Sequence, residues 1–240
     1  MNFKKIIQFF IVSSLYIAYL IISWLFCYRL LESYDMTIGD LSLFNTFDPM
    51  MYIRDVLVYL VLLGILHPAL KSFQLIRSKR SMYICRYSMY IILVSFFMAL
   101  VPNVIDCCLM LMKYFNLPTL LEASYMKALF FTIIFQWICY IVVGYMFLFF
   151  ILCMMNKWKA AIITILICTG FYAIHTLFQI DILFKDYYPF EDLYDYRGFM
   201  NELSLKEWLL QLGKYICISI LGYVVNISFI RNRDMLYDVE

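Results

Sequence analysis

The sequence predicts an all-α fold, specifically a polytopic membrane protein with six transmembrane helices. Hydrophobic residues make up 65% of the 240-residue chain, and charged residues make up only 15%. Globular domains contain about 45–50% apolar and about 25% charged residues, and a soluble domain of this length could not bury so many apolar side chains. The apolar residues form long runs with basic residues between them. We therefore expect one transmembrane domain that covers residues 1–240.

Apolar runs of about 20 residues, the length that crosses a bilayer as a helix, follow one another along the chain. The expected spans are residues 6–28, 52–70, 87–112, 128–155, 160–180 and 209–230. The second span is short and contains Asp55, His67 and Pro68, but its centre is uninterrupted and apolar. The first span is longer than the apolar region of a signal peptide, about 7–15 residues, so we expect it to be retained.

The distribution of charge predicts the orientation of these spans. If the N-terminus is cytoplasmic, the inner segments are residues 1–5, 71–87, 156–159 and 231–240. They contain eleven of the 19 basic residues and three of the 17 acidic residues. Short cytoplasmic loops carry an excess of Lys and Arg, so both termini are expected to be cytoplasmic. The outer loops, residues 29–51 and 181–208, are acidic and aromatic and are expected to lie along the outer surface.

The sequence contains none of the motifs that would indicate an enzyme or a metal site. It has no phosphate-binding G-x-x-x-x-G-K-[ST] loop, no H-E-x-x-H, no G-x-S-x-G and no C-x-x-C. The two histidines, His67 and His175, lie on different spans and are expected to be structural rather than metal ligands. A net charge of +2 does not indicate a nucleic-acid-binding protein. We therefore expect no catalytic, metal or cofactor-binding residues in this chain.

Several polar residues lie within or beside the predicted spans, where burial in lipid is costly and polar side chains tend to mark pathways or helix contacts. The candidate pathway residues are Asn103, Asp106, Gln136, His175 and Gln179. The alternative for Gln136 is a hydrogen bond between helices, which is the commoner role of such residues. The alternative for Asp106 is an interfacial carboxylate paired with a nearby basic residue.

The inner segment 71–87 combines basic and apolar residues in a pattern typical of an amphipathic helix. Ile76, Tyr83 and Ile84 are seven and eight residues apart, so they share one helical face that basic residues flank. One interpretation is a positive loop that lies on anionic lipid headgroups. The other is a short docking helix that contacts a cytosolic partner.

This arrangement resembles the membrane-spanning permease subunits of type-2 ABC exporters. Those proteins have six spans with both termini inside, and a basic coupling helix lies between spans two and three. Ser78, Lys79, Tyr83 and Arg86 approximately fit the Ser-[Arg/Lys]-x-x-x-[aromatic]-x-x-[Arg/Lys] pattern that recurs there. The size and low polarity are also similar to permeases of small peptide-export or bacteriocin self-protection systems.

The resemblance implies a permease subunit in a bacterial cytoplasmic membrane that exports or expels a peptide or lipid-like substrate. Its implied partners are a separate ABC ATPase subunit, which would hold ATP and Mg²⁺, a second permease chain, the same or related, and membrane lipid. The implied ATPase-binding residues of the coupling helix are Arg77, Lys79, Arg80, Tyr83 and Arg86. Two alternatives remain open: a six-span substrate-binding subunit of a small-molecule importer, and a membrane enzyme or its accessory scaffold.

Overall fold

The computed structural model describes residues 3–32, 49–67, 80–114, 123–154, 156–178 and 205–232. In these residues the chain forms six helices, and the all-α prediction is confirmed. The helices are α1 (Phe3–Glu32), α2 (Pro49–Leu66), α3 (Arg80–Tyr114), α4 (Ala123–Met154), α5 (Lys157–Phe178) and α6 (Leu205–Asn232). Each predicted span overlaps one of them. A helix is the expected form for such apolar segments, because it satisfies its backbone hydrogen bonds internally where no water is available.

Four of the helices are long and apolar enough to cross a membrane. Their candidate spans are Phe3–Ser23, Met82–Ile105, Leu129–Met154 and Leu212–Arg231. Helix α2 is not among these four, and its 18 residues extend over only about 27 Å. Helix α5 is also not among them. Four candidate spans indicate a multi-pass membrane protein.

Contacts between neighbouring helices show that successive helices alternate in direction. Tyr59 on α2 meets Ser95 on α3, whereas Tyr83, earlier on α3, meets His67 just beyond the end of α2. Helices α4 and α6 are parallel, since Tyr145 faces Tyr223 and Phe149 faces Phe229. The starts of α1, α3 and α5 and the ends of α2, α4 and α6 therefore lie together.

This end of the bundle contains Lys5, Arg86, Lys157 and Arg231, and we call it the basic end. The residues that the sequence assigns to the cytoplasmic side thus lie at the same end of the bundle wherever the structure describes them. The side chain of Asn156 begins α5 there, because its Oδ1 accepts hydrogen bonds from the backbone N–H groups of Trp158, at 2.9 Å, and Lys159, at 3.3 Å.

Helix α4 is the centre of the bundle and packs against α2, α3, α5 and α6. Tyrosines form much of the buried interior, and Tyr59, Tyr87 and Tyr215 are fully buried. Their rings supply apolar area, and the hydroxyls of Tyr59 and Tyr87 bond to neighbouring helices. A buried tyrosine hydroxyl needs such a partner, so these residues tie helices together as well as filling space.

Candidate functional site: the basic end of the bundle

The part of the predicted coupling segment that the structure describes is the beginning of α3. Arg80 is the first residue of that helix, and the chain continues without a break to Tyr114. The helix begins seven residues before the predicted start of the third span, so residues 80–86 are its first turns rather than a separate short helix. Ile84 is fully buried there, whereas Met82 and Arg86 are exposed. Arg77 and Lys79 lie outside the described residues.

An aromatic cluster fixes the start of α3 against the end of α2. The Tyr83 hydroxyl forms a hydrogen bond with His67 Nε2, and the Tyr87 hydroxyl donates to the carbonyl of Leu63 at 3.2 Å. The rings of Tyr83 and Tyr87 are stacked with centroids 6.4 Å apart, and the His67 ring meets Tyr87 edge-on at 5.0 Å. His67 thus joins the end of α2 to the start of α3 through its contacts with Tyr83 and Tyr87.

Two lysines from other helices reach the same end of α2. Lys5 of α1 donates a hydrogen bond to the carbonyl of His67, and Lys157 of α5 donates to the carbonyl of Gly64 at 3.4 Å. Carbonyl groups at the end of a helix have no partner within the helix and carry partial negative charge, so ammonium groups are favoured there. The basic end thus joins α1, α2, α3 and α5 through named polar contacts.

A cavity of about 600 Å³ opens beside these two lysines. Helices α1, α2, α4 and α5 supply its walls, which include Ile11, Leu57, Phe147 and Ile162. Lys5, Lys157 and Gln8 are the polar side chains of the lining, and the other lining residues are apolar apart from the indole N–H of Trp158. We call this space the lysine cavity; nothing in the sequence pattern predicts it, because its walls come from four separate segments.

The structure brings together two of the five candidate pathway residues. The amide of Asn103 on α3 donates to Gln136 Oε1 on α4 at 2.8 Å and to the carbonyl of Ala99 at 2.7 Å. Gln136 therefore forms a hydrogen bond between α3 and α4, and the assignment of both residues to a pathway stays a prediction. Asp106 lies on α3 and His175 on α5, but their side chains are outside the described part, as is the whole of Gln179.

A polar group between α1 and α2 was not among the predicted sites. Asp55 Oδ1 accepts a hydrogen bond from Arg54 Nε at 2.7 Å and another from the Tyr16 hydroxyl at 3.0 Å. The Arg54 guanidinium also lies over the ring of Tyr19, 4.9 Å from its centroid. The adjacent charges at positions 54 and 55, which precede an uninterrupted apolar run, could have indicated this polar group from the sequence. The role of Tyr16 could not be predicted, because its contact with Asp55 joins two helices that are distant in the sequence.

Among the residues that the structure describes, no three His, Cys, Asp or Glu side chains lie close enough to hold a metal ion. Comparison with protein-family models, with curated proteins and with solved structures finds no match to this chain. Its own architecture therefore defines it: an all-α protein of six described helices, four of which are candidate membrane spans.

Proposed function

We propose that this chain is a permease subunit of an ATP-driven ABC exporter, embedded in a bacterial cytoplasmic membrane with both termini on the cytoplasmic side. The basic end is then the cytoplasmic end, in agreement with the excess of Lys and Arg that cytoplasmic loops carry. A separate ATPase subunit binds ATP and Mg²⁺, and this chain does not itself catalyse a reaction. A second permease chain completes the pathway for a peptide or lipid-like substrate.

The observation that carries this proposal is the continuity of α3. Its 35 residues extend over about 52 Å, which exceeds the hydrocarbon core of about 30 Å. Exposed Arg86 lies about one turn inside the candidate span Met82–Ile105, at its basic end, where its long side chain can extend to the membrane interface and meet a partner. The segment from Arg86 to Val101 contains no proline, so a push on Arg86 is transmitted along the helix as far as Pro102, the proline inside α3 that directly precedes Asn103.

The cluster of Tyr83, His67 and Tyr87 supports the same mechanism. It joins the start of α3 to the end of α2, so a displacement at the basic end moves two helices together. Helices α1 and α6 are the least enclosed candidate spans, with only 11% and 17% of their apolar windows buried. They offer the faces that lipid and a second permease chain cover.

The first experiment is co-purification of the tagged full-length chain from membranes of its native host. We expect an ATPase with a phosphate-binding loop to remain bound. Replacing Arg86 by Glu should reduce ATPase binding and transport by about 100-fold or more, since like charges across an interface cost several kcal/mol and each 1.4 kcal/mol is tenfold. Arg86→Lys keeps the charge and should retain most of both activities.

Arg231→Glu is the matched control at the same end of the bundle, because Arg231 is exposed on α6 rather than on α3. Its effect on the ATPase should be weaker than that of Arg86→Glu. If no ATPase co-purifies, or if Arg86→Glu and Arg231→Glu act equally, the proposed docking on α3 is wrong.

A second candidate function, a substrate-binding subunit of a small-molecule importer, is favoured by the lysine cavity. Its volume of about 600 Å³ lies within the usual range for small-molecule pockets, about 300–1,000 Å³. This candidate predicts a water-soluble small molecule that stays bound, one per chain, through purification. Mass spectrometry of the denatured protein would identify it, and its absence would favour the permease.

A further inference from the structure

The lysine cavity is apolar along its length and cationic at one end. On α2 its wall extends from Leu57 to Ile65, and on α5 from Lys157 to Ile165. These stretches each correspond to about 12 Å along the helix axes, most of one leaflet of the about 30 Å hydrocarbon core. Both lysines lie at the basic end of that length.

The cavity is open to the surroundings of the bundle rather than sealed. Ile11, Leu57 and Ile162 line it and are each about half exposed, at 54%, 47% and 59%. These side chains belong to three different helices, so the opening lies along the outer surface between α1 and α5. Among the described residues, this side of the cavity is therefore exposed to the membrane that surrounds the bundle.

The two lysines retain N–H donors that no described residue accepts, and Lys157 Nζ also lies over the Trp158 ring, 5.5 Å from its centroid. Each ammonium group has three N–H donors, and the hydrogen bonds to His67 and Gly64 use one donor each. The two accepting carbonyls, of Gly64 and His67, are three residues apart at the end of α2, and both lysines line the cavity beside them. In the described part of the chain, no carboxylate is within 4.0 Å of either group. A ligand anion between them would satisfy both charges.

We propose that the lysine cavity binds one anionic phospholipid from the leaflet at the basic end. One acyl chain lies against Leu57, Val61 and Phe147, and the phosphate lies between Lys5 and Lys157. Anionic lipids are concentrated in the cytoplasmic leaflet, and each Lys near their headgroups raises the affinity about fivefold. This site does not depend on the proposed ATPase partner, but it rests on the proposed function for the orientation that places the basic end at the cytoplasmic leaflet.

Gly64 provides a way to fill the cavity without disturbing the bundle. It lines the cavity beside Lys157, and a Cβ atom added to it would meet no atom within 4 Å. Gly64→Leu therefore places a side chain in the space that the acyl chain would occupy. Gly170→Leu is the matched control, because Gly170 on α5 also has open space around its Cβ position but does not line the cavity.

The experiment reconstitutes the full-length chain into nanodiscs with equal amounts of dioleoyl-phosphatidylglycerol and dioleoyl-phosphatidylcholine. The protein is then released in mild detergent, and native mass spectrometry counts the lipid that remains bound. We expect one phosphatidylglycerol per chain. Replacing both Lys5 and Lys157 by Gln should lower its affinity about 30-fold, from the contribution of two lysines. Lys4→Gln and Lys159→Gln, at exposed lysines that do not line the cavity, should leave it unchanged.

Gly64→Leu should remove the bound lipid, whereas Gly170→Leu should retain it. The comparison of these two glycine variants tests whether lipid occupies the lysine cavity even if the double lysine variant fails to fold. Equal retention of the two lipids by the parent chain, or phosphatidylglycerol still bound to Gly64→Leu, would overturn the proposal. If Gly64→Leu instead changes the oligomeric state and leaves lipid retention intact, a second copy of the chain covers the opening and the lipid site is wrong.

Discussion

Gly144 on α4 is the glycine at which the structure predicts the largest loss of stability on replacement by alanine. A Cβ atom there would lie 2.4 Å from the hydroxyl oxygen of Tyr59 and 2.6 Å from Cγ2 of Ile91. Both distances are shorter than any ordinary contact, and both neighbours are fully buried. Gly144→Ala therefore forces α2, α3 and α4 apart or displaces the Tyr59 ring.

The cost follows from the contacts that the Tyr59 hydroxyl makes. It donates to the carbonyl of Tyr140 at 2.7 Å and pairs with Ser95 Oγ at 2.8 Å. Overpacking a core costs about 1–3 kcal/mol, and loss of a buried hydrogen bond with an unsatisfied partner costs about 1–3 kcal/mol. Alanine recovers about 1 kcal/mol through its better helix propensity. The middle of these ranges gives a net loss of about 3 kcal/mol of unfolding free energy.

The assay is reversible unfolding of the purified chain in mixed micelles, followed by circular dichroism. Gly170→Ala is the control, and its stability should equal or exceed that of the parent by up to about 1 kcal/mol, because nothing lies within 4 Å of its added Cβ. Adding Tyr59→Phe to Gly144→Ala removes the 2.4 Å contact. The double variant should then lose about 1–2 kcal/mol less unfolding free energy than the sum of the losses of the two single variants. Equal stability of Gly144→Ala and Gly170→Ala would refute the close approach of the three helices.

Two further substitutions test the other helix contacts by the same unfolding assay. Asp55→Asn should cost about 2 kcal/mol, because it leaves the partly buried Arg54 guanidinium without its counter-charge; unchanged stability would contradict that pair. Gly222→Leu should cost about 1–3 kcal/mol, since even its Cβ would lie 3.0 Å from Cβ of Tyr145 and would separate α4 from α6. Gly213→Leu, with nothing within 4 Å of the added Cβ, should remain within about 0.5 kcal/mol of the parent, and equal losses at both glycines would contradict the contact.

The start of α3 shows that hydropathy alone does not predict where a helix begins. Hydropathy placed the start of the third span at residue 87, because basic residues precede it, but the helix begins at Arg80. Charged residues end an apolar segment without ending a helix, since Arg and Lys have good helix propensity. The amphipathic pattern of Tyr83 and Ile84 was visible in the sequence. The sequence did not show that this amphipathic segment and the third span form one continuous helix.

The roles of the many tyrosines are a second feature that the sequence alone does not predict. The sequence shows 21 tyrosines but does not distinguish those that face lipid from those that join helices. In the structure, Tyr16, Tyr59, Tyr83 and Tyr87 each form a hydrogen bond with a different helix or with the residue that ends it. Their partners are 16 to 81 residues away along the chain, so no local pattern identifies them.

The amino-acid sequence by itself determined that the chain is all-α and built from long apolar segments. The physical reason is local: an apolar segment without water must bond its backbone internally, and only residues within a few positions take part. The uneven placement of Lys and Arg was equally visible without a structure.

Only the tertiary structure decided which helices touch and which polar groups meet. It paired Asn103 with Gln136, placed Tyr16 on Asp55, and opened the lysine cavity between four helices. These outcomes depend on how side chains from distant segments fit together at van der Waals distance, which hydropathy along one chain does not record. The fold class therefore followed from the sequence, whereas the candidate sites came from the packing.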